Sequence, residues 1–217
     1  MKFAKDPLEK TTAATDLVLA LVAFGGIVFL RGLLLNSGEL WKINIWSAAI
    51  GSIGLAATLG AVAHGLILSR ASHHRSWRVL NLALSLAVSL FVVGVAYDLW
   101  GFEVSLTTLP ILLIAGLGFY LTTLIYPGIF FLFIVYEVAA MIFALGAYIF
   151  LAIQQDLPGA CLMAAGILVS IIAAGIQTNK SVILTFVWRF DHNGIYHLVQ
   201  IVGLLLLFTG LRKSLPG

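Results

Sequence analysis

A cluster of polar side chains lies at the start of the last apolar run of the sequence. Asp191, His192, Asn193, His197 and Gln200 fall within ten positions, and mostly apolar residues follow them. A polar group in hydrocarbon costs about 2–7 kcal/mol by transfer estimates unless it is paired. Imidazoles and carboxylates at one depth can act as metal ligands or as proton donors and acceptors. The stretch therefore predicts a functional site whose remaining partners come from other segments.

The composition indicates a membrane environment for these residues. Hydrophobic residues make up 61% of the 217 residues and charged residues only 10%, with a mean hydropathy of +1.09. Soluble domains carry roughly 25% charged residues, and one span needs about 20 apolar residues. We predict an all-α integral membrane protein, a seven-transmembrane-helix bundle forming one domain over residues 1–217. Residues 1–13 are expected to form a surface segment before the first span.

Turn signals between the apolar runs divide the chain into these spans. We place them at about 14–35, 45–69, 78–100, 105–125, 129–153, 160–177 and 191–211, with a turn at Tyr126-Pro127-Gly128. Residues 181–190 are expected to form an interfacial segment or a lead-in turn. Asp191 is interpreted as the N-cap of the last span, because an aspartate there satisfies free backbone N–H groups.

The basic residues predict the orientation of the bundle. With seven spans, eight of the basic residues lie on the side of the N-terminus and four lie on the opposite side. The first group is Lys2, Lys5, Lys10, Arg70, Arg75, Arg78, Lys180 and Arg189; the second is Arg31, Lys42, Arg212 and Lys213. By the positive-inside rule the N-terminus is cytoplasmic and the C-terminus outside. We expect a multi-pass protein of the plasma membrane, or of the inner membrane in a bacterium, with the lipid bilayer and no nucleic acid as its partner.

This topology brings several polar residues to the cytoplasmic end of the bundle. His64 lies near the end of span two, and Asn81, Glu137, Asn193 and His197 lie near the starts of spans three, five and seven. Asn193 and His197 share one helix face because they are four residues apart. By the same geometry His192 lies about 140° around the helix from His197. Asp98 and Glu103 are expected at the opposite end and are excluded from this site.

Structural roles compete with functional ones at each position. His64 and His197 can each donate one hydrogen bond across a helix interface, or they can form a functional pair. Glu137 can be a protonated, hydrogen-bonded acid, or a ligand or base. His73 and His74 are interpreted as solvated loop residues. The series Ser52, Ala56, Gly60 and His64, at i+4 spacing, favours close helix packing.

The block from Phe190 to Leu198 resembles the final-span motif of the CREST superfamily. This superfamily of seven-span proteins includes alkaline ceramidases, progestin and adipoQ receptors and GPI-remodelling lipid hydrolases. Its motif reads approximately Asp-x-His-x-x-aromatic-His, so Tyr196 and His197 match its aromatic residue and its last histidine. His64 matches the superfamily's histidine near the end of span two. Three positions depart from the pattern: Asn193 replaces the first histidine of the motif, Gly60 replaces a serine, and Asn81 replaces an acid.

The resemblance implies a zinc site and hydrolysis of a lipid. Members hold zinc with three histidines and use a metal-bound water to cleave a lipid amide or ester. Here His64 and His197 would hold the metal, and the third donor would be His192, Glu137 or Asp16, because a catalytic zinc needs three protein ligands. Asn81 and Asn193 would position the water or the developing oxyanion, and Glu137 would be a further catalytic group.

Three classes of function follow from these residues. The first is a membrane-embedded metal-dependent hydrolase of a lipid amide or ester near the cytoplasmic leaflet. The second is a non-catalytic protein that binds a lipid or small ligand in a degenerate metal site. The third is proton or ion transport, for which the outer half of the sequence offers no evident path. A retinal photoreceptor is excluded, because no lysine lies between Lys180 and Lys213.

Overall fold

The computed structural model describes residues 2–33, 38–126 and 130–216. Within these residues, seven helices are long and apolar enough to cross a bilayer. They are α1 (Pro7–Gly32), α2 (Leu40–Gly65), α3 (Arg70–Trp100), α4 (Phe102–Ile125), α5 (Phe130–Gln154), α6 (Ala160–Thr178) and α7 (His192–Lys213). The seven-helix prediction is confirmed. The predicted end of span one, at residues 34–35, and Pro127 and Gly128 of the predicted turn lie outside the described residues.

Four helices, α1 to α4, begin earlier than the hydropathy predicted, and the difference is largest for α1 and α3. Helix α1 begins at Pro7, with the Asp6 carboxylate accepting a hydrogen bond from the Leu8 N–H, so the second half of the expected surface segment is helical. Helix α3 begins at Arg70, capped by Ser69, whose Oγ accepts from the Ser72 N–H. The prediction that His73 and His74 lie in a loop was therefore wrong. Capping residues can start a helix in a polar segment that no apolar run marks.

The helices pack as a ring with one helix outside it. Helix α1 packs on α2 and α7, α2 packs on α3, α3 on α5, α5 on α6, and α6 on α7. Helix α4 packs on α3, and Ser105 and Gly116 are its buried residues. Close approaches between helices use glycines: a Cβ at Gly166 would lie 2.7 Å from the Gly203 carbonyl oxygen across the α6–α7 contact. We call the end where α1 and α7 begin the N-terminal face.

A short hairpin links α6 to α7 at the N-terminal face. Strands β1 (Ile183–Thr185) and β2 (Arg189–Asp191) pair antiparallel, and the exposed Trp188 lies in the turn between them. The segment predicted as a lead-in turn is thus a two-stranded hairpin. Asp191 is the N-cap of α7, as predicted, because its Oδ1 accepts from the Gly194 N–H at 2.8 Å. The same oxygen accepts from the Thr12 hydroxyl of α1 at 2.8 Å, which joins the starts of α1 and α7.

The opposite end of the bundle contains a buried ion pair. Lys42 of α2 and Asp98 of α3 lie 2.6 Å apart, with side chains 4% and 1% exposed. The Tyr148 hydroxyl of α5 donates to Asp98 at 2.7 Å, and the Tyr97 hydroxyl donates to Glu39. Lys42 was expected in an interfacial loop, but α2 begins at Leu40 and includes it. As the sequence predicted, Asp98 lies far from the N-terminal face.

Candidate ligand-binding site

A large cavity opens at the N-terminal face. Its volume is about 1160 Å³, and residues of all seven helices contribute to its wall. All five histidines of the chain line it, namely His64, His73, His74, His192 and His197. Apolar side chains of α1, α2 and α3, including Leu19, Ile53 and Leu84, line other parts of the wall. The cavity therefore combines a histidine-rich region with an apolar one.

His197 is held by two consecutive residues of α1. Its Nε2 lies 3.1 Å from Asp16 Oδ1, and its Nδ1 lies 3.1 Å from the Thr15 hydroxyl oxygen. The imidazole is 7% exposed, and Asp16 and Thr15 are 4% and 5% exposed. The contact of Nε2 with Asp16 therefore joins an imidazole and a carboxyl group that are both buried. Both ring nitrogens are therefore engaged, and the ring joins α7 to α1.

His64 is held by another acid of α1. Its Nδ1 lies 2.7 Å from Glu9 Oε2, and its ring packs edge-on against Trp77 of α3 with centroids 6.0 Å apart. Its side chain is 19% exposed, and the paired Glu9 side chain is 46% exposed. The structure thus places His64 and His197 in the lining of one cavity, each paired to an acid of α1.

Asp16 occupies the space beside Gly60. A Cβ at Gly60 would lie 2.7 Å from Asp16 Oδ2 and 2.8 Å from Oδ1. Gly60 is the position where the CREST pattern has a serine, so in this chain the carboxylate of α1 fills the volume that a side chain there would need. Sequence reasoning named Asp16 only as one of three alternative donors. The available signal was an acid bordering the first long apolar run.

Replacing Gly60 by alanine should displace Asp16 and loosen its contact with His197. The three heavy atoms nearest to such a Cβ all belong to the Asp16 carboxyl group, so the new methyl group requires this side chain to move. Overpacking of this kind costs about 1–3 kcal/mol. Thermal unfolding in detergent would measure the loss. Gly118→Ala on α4 is the matched control, because nothing lies within 4 Å of a Cβ there. Equal stability of the two variants would contradict the packing argument.

The other predicted site residues divide into two groups. Asn81, His192 and Asn193 line the cavity, so His192 shares it with His197 despite their angular separation on α7. Glu137 of α5 is not among the lining residues; its carboxylate lies within electrostatic range of Tyr196, which does line the cavity. Sequence reasoning missed Thr15, the residue of α1 that contacts His197. It also missed the basic residues of the cavity wall, Arg75, Arg78 and Lys180, because it interpreted them only as orientation signals.

The donor set does not fit the predicted zinc ion. Among the described residues, no group of three or more His, Cys, Asp or Glu side chains lies in a metal-binding arrangement. His197 already uses both ring nitrogens on α1, whereas a zinc-bound histidine keeps one for the metal. Asn193, at the motif's first histidine position, is a poor zinc ligand. The geometry defines a cavity with a paired histidine and acid in its wall.

The fold and the cavity define a multi-helix protein of membrane-spanning dimensions with a polar pocket at one end. The chain belongs to the family of unknown function DUF6962, which matches residues 11–216. That match includes every residue of the cavity wall. No curated protein and no solved structure matches the chain.

Proposed function

We propose that this protein is a non-catalytic seven-span membrane protein that binds an amphiphilic ligand, a lipid or a small molecule with an apolar portion, in the cavity at its N-terminal face. The observation that carries the proposal is the combination of histidines and amides with apolar walls in one cavity of about 1160 Å³. Sites for small molecules typically have volumes of about 300–1,000 Å³, mainly apolar walls and a few placed polar groups. The cavity lies slightly above this size range and has the same type of lining, which supports the binding of a ligand with an apolar chain.

The bundle would place this cavity near the cytoplasmic leaflet. The excess of basic residues on the side of the N-terminus supports a cytoplasmic N-terminus and an outer C-terminus. The membrane would be the plasma membrane, or the inner membrane of a bacterium. In that orientation, lipid head groups of the inner leaflet lie at the depth of the cavity opening.

Filling the cavity should remove the bound ligand. Asn81→Phe places a large side chain at a lining position of α3, and Leu198→Phe places one at a non-lining position of α7 that is 41% exposed. We expect at least a fivefold lower yield of co-purified lipid per protein for Asn81→Phe than for Leu198→Phe. Native mass spectrometry after purification in mild detergent measures this yield. Equal lipid retention by the two variants would refute the proposal.

A metal-dependent lipid hydrolase is the second candidate, supported by the motif resemblance and by His64 and His197 on one wall. It would require zinc and would release a fatty acid from a lipid amide or ester. The test incubates the purified protein with such lipids, with and without added zinc, and compares His64→Ala. Fatty-acid release that disappears in His64→Ala would favour the hydrolase over the binding protein.

A further inference from the structure

We infer that the ligand of this cavity is an anionic amphiphile, whose phosphate or carboxylate group binds to Arg75, Arg78 and Lys180 while its apolar chain extends inward. The inference rests on the proposed binding function and adds the chemistry of the head group. All three cations line the cavity and are solvent-exposed. These cations also contribute to the orientation signal, but orientation does not require them to line one cavity.

The cavity wall carries uncompensated positive charge. Among its described lining residues, Asp16 is the single acid, and Asp16 is already paired with His197. Within the described ranges 2–33, 38–126 and 130–216, Arg75, Arg78 and Lys180 form no ion pair with a carboxylate. An anion that enters the opening would therefore meet free cations without competition from the protein's own acids.

The cations approach the opening from two elements of the fold. Arg75 and Arg78 lie three residues apart at the start of α3 and so share one side of that helix. Lys180 follows the end of α6, and His192 begins α7. Arginine binds phosphate and carboxylate through paired N–H donors, and lysine adds a point charge. These groups, from the start of α3, the segment after α6 and the start of α7, line the same cavity and can supply donors to one anion.

The apolar lining extends inward from the arginines. Leu84 lies six residues beyond Arg78 on α3, about 9 Å along the helix axis. Ile53 of α2 and Leu19 of α1 also line the wall. A ligand with its charge among the arginines would place its chain against these side chains. A chainless anion would satisfy the cations but leave the apolar wall without a partner.

The test compares four probes with the full-length protein in detergent. Oleoyl lysophosphatidic acid has both a phosphate and a chain, and mono-oleoyl glycerol has the same chain without the charge. Glycerol 3-phosphate and inorganic phosphate have the charge without a chain. We expect the lysophosphatidic acid to bind at least tenfold more tightly than each of the other three, measured as Kd by microscale thermophoresis.

A double variant assigns the preference to the cavity. Arg75→Gln with Arg78→Gln should weaken binding of the lysophosphatidic acid at least tenfold and leave the Kd of mono-oleoyl glycerol within twofold. Both side chains are exposed, so the variant should fold. The control, Lys2→Gln with Lys5→Gln, removes the same charge from exposed residues outside the cavity wall. This control variant should change the Kd of each oleoyl probe by less than twofold.

The outcomes separate this inference from the proposed function. Equal loss of affinity in the two double variants would show general attraction to a basic surface and overturn the inference. Equal affinity for glycerol 3-phosphate and the lysophosphatidic acid would overturn the inference that the ligand has an apolar chain. If both oleoyl probes bind with equal affinity and Asn81→Phe abolishes the binding of both, the head-group assignment fails and the proposed binding cavity is retained. If Asn81→Phe changes the binding of neither probe, both proposals fail.

Discussion

Replacing Asp98 by alanine should lower the free energy of unfolding by about 3–5 kcal/mol, since removing one partner of a buried ion pair leaves the other charge uncompensated. Asp98 is paired at 2.6 Å with Lys42, and both side chains are almost fully buried. The substitution also removes the acceptor of the Tyr148 hydroxyl. SDS titration of the purified protein, followed by far-UV circular dichroism, would measure the change.

Two further variants show whether the charge imbalance is the cause. Lys42→Met combined with Asp98→Leu removes both charges and keeps an apolar volume, so it should destabilise the protein less than either single substitution. Arg31→Gln breaks an exposed contact with Asn44 and should change stability by less than about 0.5 kcal/mol. A double variant as unstable as the sum of the single variants would contradict the ion-pair explanation.

Replacing His197 by alanine should cost about 1–3 kcal/mol or more, because the buried Asp16 carboxyl group loses its polar partner. The substitution also removes the ring nitrogen that contacts the Thr15 hydroxyl and leaves a void between α1 and α7. Thermal unfolding in detergent gives the comparison. Thr15→Val removes the contact with Nδ1, leaves the Asp16 contact in place, and should cost about 0.5–1.5 kcal/mol.

His192→Ala is the matched control for His197→Ala. His192 lines the same cavity, begins the same helix and is only partly buried. The His192→Ala variant should therefore lose little stability. If His192→Ala and His197→Ala destabilise equally, the contact of His197 with α1 does not hold these helices together, and the histidine would be free for a ligand.

Local patterns predicted much of the fold. Runs of about 20 apolar residues identified all seven helices, because a run of that length matches the bilayer thickness. Asp191 was recognised as an N-cap, since capping depends on residues within one helical turn. The starts of α1 and α3 and the β1–β2 hairpin were not predicted. Each lies in a polar or short segment where neither hydropathy nor periodicity distinguishes a helix or strand from a loop.

The candidate site was only partly predictable. Asn193 and His197 share a helix face, and the seven-span topology brought His64 and Asn81 to the same end, where all four line one cavity. The pairing of His197 with Asp16, and of His64 with Glu9, involves different helices. Spacing along one sequence does not give the rotation of one helix against another, so these partners could not be assigned. The CREST relationship and its zinc chemistry stay predictions.

The sequence by itself determined seven apolar helices, their order and the end of the bundle at which most of the polar site residues lie, because hydropathy and capping act over neighbouring positions. The tertiary structure alone decided that α1 supplies acids to both motif histidines, that Asp16 fills the space beside Gly60, and that Lys42 is buried against Asp98. These contacts depend on which faces of two helices meet. Steric packing across the bundle sets those faces, and close approach at a glycine such as Gly60 determines which side chain can enter.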